Sequence, residues 1–469
     1  MHTDVLIVGA GPTGLALGID LARRGVAALV VEKADKLFPG SRGKGIQPRT
    51  MEVFEDLGVL EEIRAAGGTY PVGMIWQDGR QLGEHHMADP AESDDGPLGP
   101  WMVPQWRTQE ILLSRLEELG GRVGFGREVV GLDQDADGVT ARFASGEPVR
   151  ARYAVAADGG RSAVRRALGI GMTGETVDPQ PTLVADVRVS GLGREYWHLF
   201  PPAGEDGGFL ALCPLAGTED FQLVARFPQD TDPDLSAEGI RKVVAARSHL
   251  AAEDVTQVRW ASDFRPRTAL ADRFRAGRVF LAGDAAHIHS PAGGQGLNTS
   301  VQDAYNLGWK LGAVLGGDAP AALLDSYEAE RRPVAADMLG LSTRVHRGET
   351  RRGAATSQLG LGYPRSPLTE ETRPAPSGTV RAGDRAPDAE ADGTRLFDIF
   401  RGPHWTLLAV GPDTGPLPAL GVPVARLAAH DAYGTGVFLV RPDGYVGWAG
   451  ETAEGLTGYA DRLGAAAQA

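Results

Sequence analysis

The sequence predicts an α/β protein with more than one domain, on three observations from different parts of the chain. The chain opens with a strand–turn–helix–strand pattern that carries spaced glycines. Alternating apolar and polar segments, separated by turn residues, fill residues 182–227. A further apolar strand ends in Gly-Asp near residue 284 and leads into a long helical pattern. With 469 residues, the chain is long enough for about two or three domains.

The composition is that of a globular protein and excludes several classes of function. Hydrophobic residues make up 42% and charged residues 23% of the chain, which argues against disorder. A net charge of -14 provides no basic surface for nucleic acid or for an anionic membrane. Cys213 is the only cysteine, so no disulfide within the chain, CxxC pair or iron–sulfur cluster can form. No apolar segment is long enough to span a bilayer, and the expected location is the reducing cytoplasm.

The N-terminal pattern predicts a dinucleotide-binding site. In the stretch DVLIVGAGPTGLALGIDLARRGVAALVVEK, a GxGxxG motif between the first strand and the helix consists of Gly9, Gly11 and Gly14. The first glycine permits the tight turn, the second lets a pyrophosphate approach the backbone, and the third lets the helix pack on the strand. Glu32 follows the second strand, where a carboxylate accepts hydrogen bonds from a ribose. FAD and NAD share this pattern, so it leaves the choice between them open.

The segment GRVFLAGDAAHIHSPAGGQGLN favours a flavin. Its strand Val279–Leu281 brings Asp284 to the C-terminal end of a sheet, where open α/β sheets bind ligands. The glycines that follow leave backbone N–H groups free, and a helix predicted from about Leu297 to Leu315 directs its positive end at the same loop. Such a loop stabilises an electron-rich ring that becomes an anion on reduction. A flavin fits that description and a nicotinamide does not.

Two local patterns imitate metal sites. His287 and His289 form an isolated HxH pair without further ligands at a suitable spacing, and we predict no metal site. The stretch DQDADG, residues 133–138, has the composition of a calcium loop but is too short and lacks the terminal glutamate. Strand-like sequence flanks it on both sides, so a hairpin turn is predicted there.

Three motifs in this order resemble those of one family. Besides GxGxxG and the Gly283-Asp284 segment with its HxxxPxxGxGxN continuation, the chain carries DGGRSAVRRALG from Asp158 onward. A later ERRPVA at Glu330–Ala335 resembles the helix that follows in this family. The chain thus resembles the flavoprotein monooxygenases that fold like p-hydroxybenzoate hydroxylase, in the branch of the aromatic polyketide and phenol hydroxylases. That branch includes rifampicin monooxygenase and the anthracycline and angucycline hydroxylases.

The resemblance implies a division of the chain into discontinuous domains. It implies a Rossmann-like FAD-binding domain, an inserted antiparallel β-sheet domain for the substrate and a thioredoxin-like C-terminal domain. Without a CxxC motif, the C-terminal domain is expected to serve in structure or at a subunit interface. The expected segments are 1–71, 100–178 and 265–350 for the FAD-binding domain, 72–99 and 179–264 for the substrate domain, 351–378 for a linker and 379–469 for the C-terminal domain.

The resemblance also implies a cofactor site to which all three motifs contribute. Glu32 would hold the adenosine ribose, Asp284 the ribityl chain, and the 293–298 loop the pyrimidine edge of the flavin through backbone N–H groups. Asp158 would lie near the pyrophosphate and assist the use of NADPH or NADH. The residues expected to bind the cofactor are Gly9, Gly11, Thr13, Gly14, Glu32, Lys33, Arg42, Gln105, Arg107, Val129, Asp158, Asp284, Pro291, Gly294, Gly296, Leu297 and Asn298.

The alternating sheet is expected to cover a cavity for an aromatic substrate. Aromatic side chains suit a planar ring, although the same residues also fit plain sheet core. The residues expected at the substrate are Trp76, Trp197, His198, Phe200 and Phe209. The candidate catalytic residues are Arg42, near the flavin, and His198, as a base for a phenol.

The activity implied by the resemblance is FAD-dependent hydroxylation of a bulky polyketide-type or phenolic substrate, with NADPH or NADH as reductant and O₂ as oxidant. Oxygen would reach the ring from a flavin C4a-hydroperoxide. The protein is expected to be a monomer or a homodimer. Open alternatives are Baeyer–Villiger insertion or epoxidation on a polyketide, modification of a rifamycin-type drug, an NAD dehydrogenase and a protein that sequesters an aromatic drug. A flavin halogenase is disfavoured because the WxWxIP signature is missing.

Overall fold

The α/β class with an inserted β-sheet is confirmed by the computed structural model, which describes residues 2–86, 98–202 and 208–465. A parallel sheet near the N-terminus, a second sheet inserted between its strands, and a smaller C-terminal sheet contain most of the strands. Among the described residues, no helix is both long and apolar enough to cross a lipid bilayer.

The first sheet is the parallel sheet predicted from the N-terminal pattern. His2–Val8 pairs in parallel with Ala28–Val31 on one side and with Val149–Ala156 on the other. Val279–Leu281 also pairs in parallel with Val149–Ala156, so the C-terminal ends of these strands lie at one edge. In spatial order the strands are Arg275–Ala276, Val279–Leu281, Val149–Ala156, His2–Val8, Ala28–Val31 and Val123–Gly124, with Val129–Gln134 and Val139–Phe143 attached as a hairpin.

That hairpin confirms the turn predicted for DQDADG. The Asp135 carboxylate accepts hydrogen bonds from the N–H groups of Asp137 (2.8 Å) and Gly138 (3.0 Å). An aspartate that binds its own backbone in this way closes a turn. The same carboxylate pairs with Arg150 at 2.6 Å, so its oxygens serve the hairpin.

Two helices begin at the ligand-binding edge of the first sheet. Pro12–Ala22 follows the first strand, and Gly296–Gly316 begins one residue before the predicted start. The two helices pack against each other. Their N-terminal ends carry unpaired N–H groups and the positive ends of the helix dipoles, and therefore favour an anion at this edge.

The second sheet is the predicted substrate sheet, with one difference in topology. Val72–Gln77 joins it as predicted, but it pairs in parallel with Tyr196–Phe200, whereas the other pairs are antiparallel. One face packs on the helix Ala237–Arg247 and forms a separate hydrophobic core. In spatial order the strands are Val255–Phe264, Thr182–Val189, Phe221–Arg226, Leu210–Pro214, Tyr196–Phe200, Val72–Gln77 and Arg80–His85.

Buried charges anchor the C-terminal sheet to the first domain, which is the domain built on the first sheet. Arg441 pairs with Glu330 (2.6 Å) and with Asp443 (2.6 Å), and Lys310 pairs with the second oxygen of Glu330 (2.6 Å). These side chains are fully buried, and loss of one partner would leave an uncompensated charge. Glu330, from the ERRPVA motif, therefore holds the C-terminal unit in place. The strands are, in spatial order, Glu370–Glu371, Val446–Gly450, Gly436–Val440, Thr406–Val410 and Val424–Leu427.

Residues 351–378, expected as a linker, are folded onto the long helices. They include the helix Ala354–Ser357 and the edge strand Glu370–Glu371. Gln358 is buried, and its Nε2 donates a hydrogen bond to Gln295 Oε1 (2.7 Å). These contacts fix the segment against the glycine loop.

The other helices and strands are short or connect the sheets. The helices are Pro48–Leu57, Leu60–Ala65, Gln105–Glu118, Ala163–Ala167, Asp325–His346, Leu396–Phe400 and Leu456–Leu463, with 3-10 turns at Ala252–Asp254, Gly283–Ala285, Ala292–Gly294 and Ala321–Leu324. The remaining strands are Gly45–Ile46 with Trp101–Met102, Met172–Thr176 with Arg267–Ala271 and His287–Ile288, and Glu390–Ala391 with Thr394–Arg395.

Candidate active site

In the GxGxxG turn, each glycine has a different role. Gly9 has a φ of 111°, and a Cβ there would clash with the carbonyl oxygen of Ala157. A Cβ on Gly14 would clash with the Gly9 carbonyl, so Gly14 lets the helix pack on the strand. A Cβ on Gly11 would meet no described atom within 4 Å. Gly11 therefore faces open space at the helix N-terminus, where a pyrophosphate fits.

Glu32 lies beside this turn, at the end of the strand Ala28–Val31. Its carboxylate accepts hydrogen bonds from the N–H groups of Ala10 and Ala34, both at 3.0 Å. These bonds fix the half-buried side chain at the edge of the sheet. A carboxylate held in this way keeps lone pairs for ribose hydroxyls.

The Gly283-Asp284 turn lies between the first turns of the two helices. Gly283 has a φ of 63°, and a Cβ there would lie 2.6 Å from Thr13 Oγ1 and 3.1 Å from Ser300 Cβ. The Asp284 side chain is exposed in the cleft between the glycine turns of the first sheet and the inserted sheet. The surrounding protein removes water from the carboxyl group and thereby raises the pKa of Asp284. Asp284 thus offers a ligand an acceptor close to both helix N-termini.

The two histidines that follow support this turn. Asp303 accepts a hydrogen bond from the Gly283 N–H (3.0 Å) and pairs with His287 Nε2 (2.5 Å) and Arg331 Nε (2.8 Å). His289 Nε2 lies 3.1 Å from His287 Nδ1, and burial lowers the pKa of His289 well below its usual value. The histidines therefore act as hydrogen-bonding residues of the turn. Within residues 2–86, 98–202 and 208–465, no cluster of three side chains could hold a metal ion.

Amide side chains tie the glycine loop to the segment Gly43–Gln47. Asn298 Oδ1 accepts from the Gln47 N–H (2.8 Å), and Nδ2 donates to the carbonyls of Gly294 (2.7 Å) and Gly45 (3.0 Å). Because the buried Asn298 side chain is used by the protein, the ligand donors of the loop are its backbone N–H groups.

Gln105 and Leu297 hold the same segment from its other side. Gln105 Oε1 accepts a hydrogen bond from the Gly43 N–H (2.9 Å). A Cβ on Gly43 would lie 3.5 Å from Leu297 Cδ1, so the segment runs close to the start of the long helix. Both residues therefore shape the protein around the predicted flavin position.

Arg42 extends from the segment Gly40–Gly45 toward the inserted sheet. Its guanidinium carbon lies 5.1 Å from the centroid of the Phe38 ring and 5.8 Å from that of Trp260. Burial lowers the pKa of Arg42, whereas the charge of Asp284 raises it. The side chain is exposed in the cleft, so its positive charge is accessible to a ligand.

Asp158 combines a structural role with an unused oxygen. One carboxylate oxygen accepts hydrogen bonds from the N–H groups of Ala163 (2.8 Å) and Val164 (3.2 Å) and caps the short helix that follows. The other oxygen is buried without a partner among the described residues, and burial raises the pKa of Asp158. Arg165 donates to the carbonyl of Ala285 (3.0 Å), which joins this motif to the Gly283-Asp284 turn.

The other five predicted cofactor residues differ in exposure and position. Lys33 and Arg107 are exposed, and Arg107 pairs with a neighbouring glutamate at 2.9 Å. Val129 is buried at the start of its strand, Pro291 is exposed, and Gly296 begins the long helix. Their contacts with a cofactor stay predictions.

The inserted sheet turns alternate residues toward the cleft. One row of cross-strand partners on that face consists of Cys213, Gln222, Asp186 and Trp260. Lys44 reaches this row from the first domain: its Nζ donates to Gln222 Oε1 (2.5 Å) and lies 4.3 Å from the centroid of the Trp197 ring. This row therefore defines the face of the sheet that covers the cleft.

The next row on the same face carries small side chains. On four neighbouring strands it consists of Ala211, Val224, Val184 and Ser262, and beyond Ala211 it continues with the larger Leu199 and Ile75. Val224 and Ser262 are partly exposed, so the row borders open space. Small residues here leave room for a broad, flat ligand. No motif marks this row, and only the two-residue alternation counted from Gln222 could have identified it.

Three of the five predicted substrate residues lie on the opposite face. Trp76 Nε1 donates to His198 Nδ1 (3.0 Å), His198 Nε2 binds the carbonyl of Gly193 (2.8 Å), and Phe200 belongs to the core under helix Ala237–Arg247. With both ring nitrogens engaged and a pKa lowered by burial, His198 is not available as a base. The expectation failed because adjacent strand residues face opposite sides.

The other two predicted substrate residues are placed differently. Trp197 lies on the cleft face beside Lys44. Phe209 is half-buried at the end of the same sheet, with the Arg226 guanidinium 5.7 Å from its ring centroid. The structure thus places Trp197 beside Lys44 and leaves Phe209 at the margin of the sheet.

Known proteins share this arrangement. Residues 2–342 match the FAD binding domain family, and residues 379–469 match the family of the aromatic-ring hydroxylase C-terminal domain. A flavin-dependent monooxygenase of Mycobacteroides abscessus is 45% identical over 475 aligned positions, with 98% of this chain and 99% of the relative covered. The rifampicin monooxygenase of Streptomyces venezuelae is 39% identical over 349 positions, with 72% and 69% covered. The solved complex of aklavinone-11 hydroxylase with FAD and aklavinone has a TM-score of 0.85 at 30% identity and covers 98% of each chain.

The site fits FAD on its own geometry. Open space at Gly11, the exposed carboxylate of Asp284 and two converging helix N-termini suit a pyrophosphate, a ribityl chain and an electron-rich ring. The chain therefore belongs to the FAD-dependent aromatic-ring hydroxylases, a family of flavin monooxygenases.

Proposed function

We propose that this protein hydroxylates a bulky aromatic substrate of polyketide type, with NADPH or NADH as reductant and O₂ as oxidant. The observation that carries the proposal is the row of small side chains on the cleft face of the inserted sheet, next to Arg42. Val224 is partly exposed on that face, and its buried neighbours Ala211 and Val184 are small and apolar, a lining that suits fused rings.

Two relatives support this substrate class. The structurally similar aklavinone-11 hydroxylase acts on aklavinone and matches this chain over its full length. Rifampicin monooxygenase, which is similar over 72% of this chain, supports a second candidate: modification of a rifamycin-type drug. Aklavinone and rifampicin are both large and cyclic, so the inserted sheet, which forms the roof of the cleft, suits either activity.

Bound FAD supplies hydride acceptance from NAD(P)H and oxygen activation. The residues of this chain bind and orient it. The GxGxxG turn and the first helix stabilise the pyrophosphate, Glu32 holds a ribose, and Asp284 binds the ribityl hydroxyls. The N-terminus of the helix Gly296–Gly316 would favour negative charge on a ring bound there, and Arg42 adds a positive charge in the same cleft.

The inserted sheet excludes water from the site and fixes the orientation of the substrate. Its cleft face excludes water from the reacting carbon and holds the aromatic plane against the first domain. The nicotinamide nucleotide would bind transiently across the face of the same domain, near Arg42 and the unpaired oxygen of Asp158. A buried free thiol at Cys213 suits the reducing cytoplasm, and we expect a monomer or a homodimer.

The experiment is an absorption spectrum of the purified protein, followed by NADPH and NADH oxidation in air with a panel of phenols, tetracyclic polyketides and rifamycins. A yellow protein that oxidises the nucleotide faster with one compound, and adds one oxygen atom to it, supports the proposal. The position of that atom distinguishes hydroxylation from Baeyer–Villiger insertion and epoxidation. A colourless protein that cannot be loaded with FAD contradicts the proposal and favours a dehydrogenase or a drug-sequestering protein.

A further inference from the structure

We propose that Asp186 is a positioning residue for this hydroxylation: from the roof of the cleft, the negative charge of its carboxylate attracts Lys44 and thereby steadies the segment Gly40–Gly45, which carries Arg42. The inference deepens the proposed function and rests on it. We call Gly40–Gly45 the arginine segment.

The arginine segment runs along the polar row of the inserted sheet. Lys44 Nζ donates to Gln222 Oε1 (2.5 Å), and Gln222 Nε2 donates to the carbonyl of Ser41. At the other end, Gly40 packs so closely on Trp260 that a Cβ would clash with the indole ring. Asp186 is the cross-strand partner of both Gln222 and Trp260, so it lies between these two fixed points.

The Asp186 carboxyl group lacks the hydrogen bonds by which a buried acidic side chain usually stabilises a fold. Its side chain is 1% exposed, and neither oxygen has a hydrogen-bond partner among the described residues. The Ser41 hydroxyl is also unpaired there and faces Asp186, where it favours the ionised carboxylate. A buried carboxylate without partners is costly, and such sites persist where function requires them.

Asp220, in the turn just before the strand Phe221–Arg226 of this sheet, provides the contrast. It is 2% exposed, but it pairs with Arg188 Nε (3.1 Å) and Arg259 Nε (2.5 Å). Its charge is therefore satisfied by two guanidinium groups. The difference between the two aspartates indicates that Asp186 is not retained for stability.

The charges around Asp186 make its hold on the arginine segment depend on pH. Burial raises the pKa of Asp186 to about 6; the charge of Asp220 adds to the rise, and Ser41 and Lys44 oppose it. Burial likewise lowers the pKa of Lys44. The other charged or titratable groups that act on Lys44 are Cys213 and Arg352. Above about pH 6 the ionised carboxylate attracts Lys44 and the Ser41 donors, and below it the attraction is lost.

The consequence concerns Arg42. When Asp186 is protonated, the arginine segment is held less firmly, and Arg42 no longer keeps its position between the first domain and the roof. Because loss of this geometry slows the productive step relative to side reactions, the share of NAD(P)H that ends in hydroxylated product falls as the pH decreases through about 6.

The test compares the wild type with Asp186→Asn and with the matched control Asp220→Asn. A carboxyl whose pKa is raised by folding destabilises the protein as the pH rises from its unfolded value toward about 6, and the penalty persists above that. Asp186→Asn should therefore raise the melting temperature by about 3 °C at about pH 8, with a smaller gap at about pH 5. Asp220→Asn should lower it, because two arginines lose their partner.

The second readout is the yield of product per NADPH between about pH 5 and 8. We expect a titration near pH 6 in the wild type, and a low yield without that titration in Asp186→Asn. A melting temperature that falls as in Asp220→Asn, or a titration that Asp186→Asn leaves unchanged, overturns the inference. A wild-type protein that hydroxylates no compound instead contradicts the proposed function, and this inference with it.

Discussion

The floor of the cleft, formed by the glycine turns of the first domain, presents backbone N–H groups beside the carboxylates of Glu32 and Asp284, whereas its roof, formed by the inserted sheet, presents side chains. The floor positions are fixed by close packing, as at Gly9 and Gly14, where a single methyl group would clash with a carbonyl. The roof positions are fixed by strand register, and their side chains are free to differ in size and polarity. A family with this division can keep one cofactor and change its substrate through the roof.

The largest effect is expected on the floor. Gly9→Ala places a Cβ against the Ala157 carbonyl at a φ of 111°, and we expect it to cost about 3 kcal/mol or more of folding free energy and to abolish FAD binding. The matched variant Gly11→Ala has a φ of -73° and open space, so it should keep the fold and weaken only FAD binding. Thermal unfolding and flavin content separate the two. A Gly9→Ala protein that melts and binds FAD like wild type would contradict the packing argument.

The second largest effect is expected at the buried charges that support the Gly283-Asp284 turn. Asp303→Asn removes a buried partner of His287 and Arg331, and we expect a loss of about 3–5 kcal/mol. The exposed pair of Asp325 with Arg275 serves as control, and Asp325→Asn should cost about 0–1 kcal/mol. Urea unfolding measures both. Equal losses would mean that burial of the Asp303 network is not what stabilises the turn.

The stability that Asp303 provides through His287 and Arg331 depends on pH. Burial alone would raise the pKa of Asp303, but His287 and Arg331 outweigh burial and hold the pKa below its usual value. The stabilisation is therefore complete above the ordinary aspartate range near about 4 and is lost as the pH falls below it. Unfolding curves of wild type and Asp303→Asn should converge on acidification. Curves that stay parallel would assign the acid sensitivity to other groups.

A smaller effect is expected on the roof. Val224→Trp fills the row of small side chains, and we expect hydroxylation of a polycyclic substrate to fall by about tenfold or more while FAD content stays unchanged. Val224→Ala should keep the activity because it only enlarges the space. Product formation at fixed FAD content is the measurement. If Val224→Trp lost FAD in proportion to activity, floor and roof would not be separable.

The smallest effect is expected on the far face of the roof. His198→Gln removes hydrogen bonds to Trp76 and to the Gly193 carbonyl, which costs about 1 kcal/mol of stability. Activity and its pH profile should stay close to wild type, because the ring does not face the cleft. The disappearance of a titration from the profile would identify His198 as the base after all.

The contrast between the floor and the roof also explains which features of the molecule could be predicted from the sequence. The floor was predictable because a turn that needs a positive φ, or a helix that touches a strand, requires glycine at a fixed spacing, as at Gly9, Gly14 and Gly283. The helix Gly296–Gly316 was predictable from its periodicity. These features are local, so the chain records them directly.

The roof was less predictable because register is not local. Trp197 and His198 are neighbours in sequence and lie on opposite faces, and only the pairing with the strands Val72–Gln77 and Leu210–Pro214 determines which one faces the cleft. The buried Asp186 carries no motif at all. Likewise, the network that fixes residues 351–378 depends on partners such as Gln295, far away in the sequence.

The most direct test of the proposed hydroxylation is the isotope content of the product made under ¹⁸O₂ by the FAD-loaded protein with NADPH and a polycyclic phenol. We predict that one ¹⁸O atom from the gas is bonded to an aromatic carbon of the product, and that Val224→Trp loses this product while keeping its flavin. An oxygen atom that comes from water, or nucleotide oxidation that never yields an oxygenated ring, would contradict it.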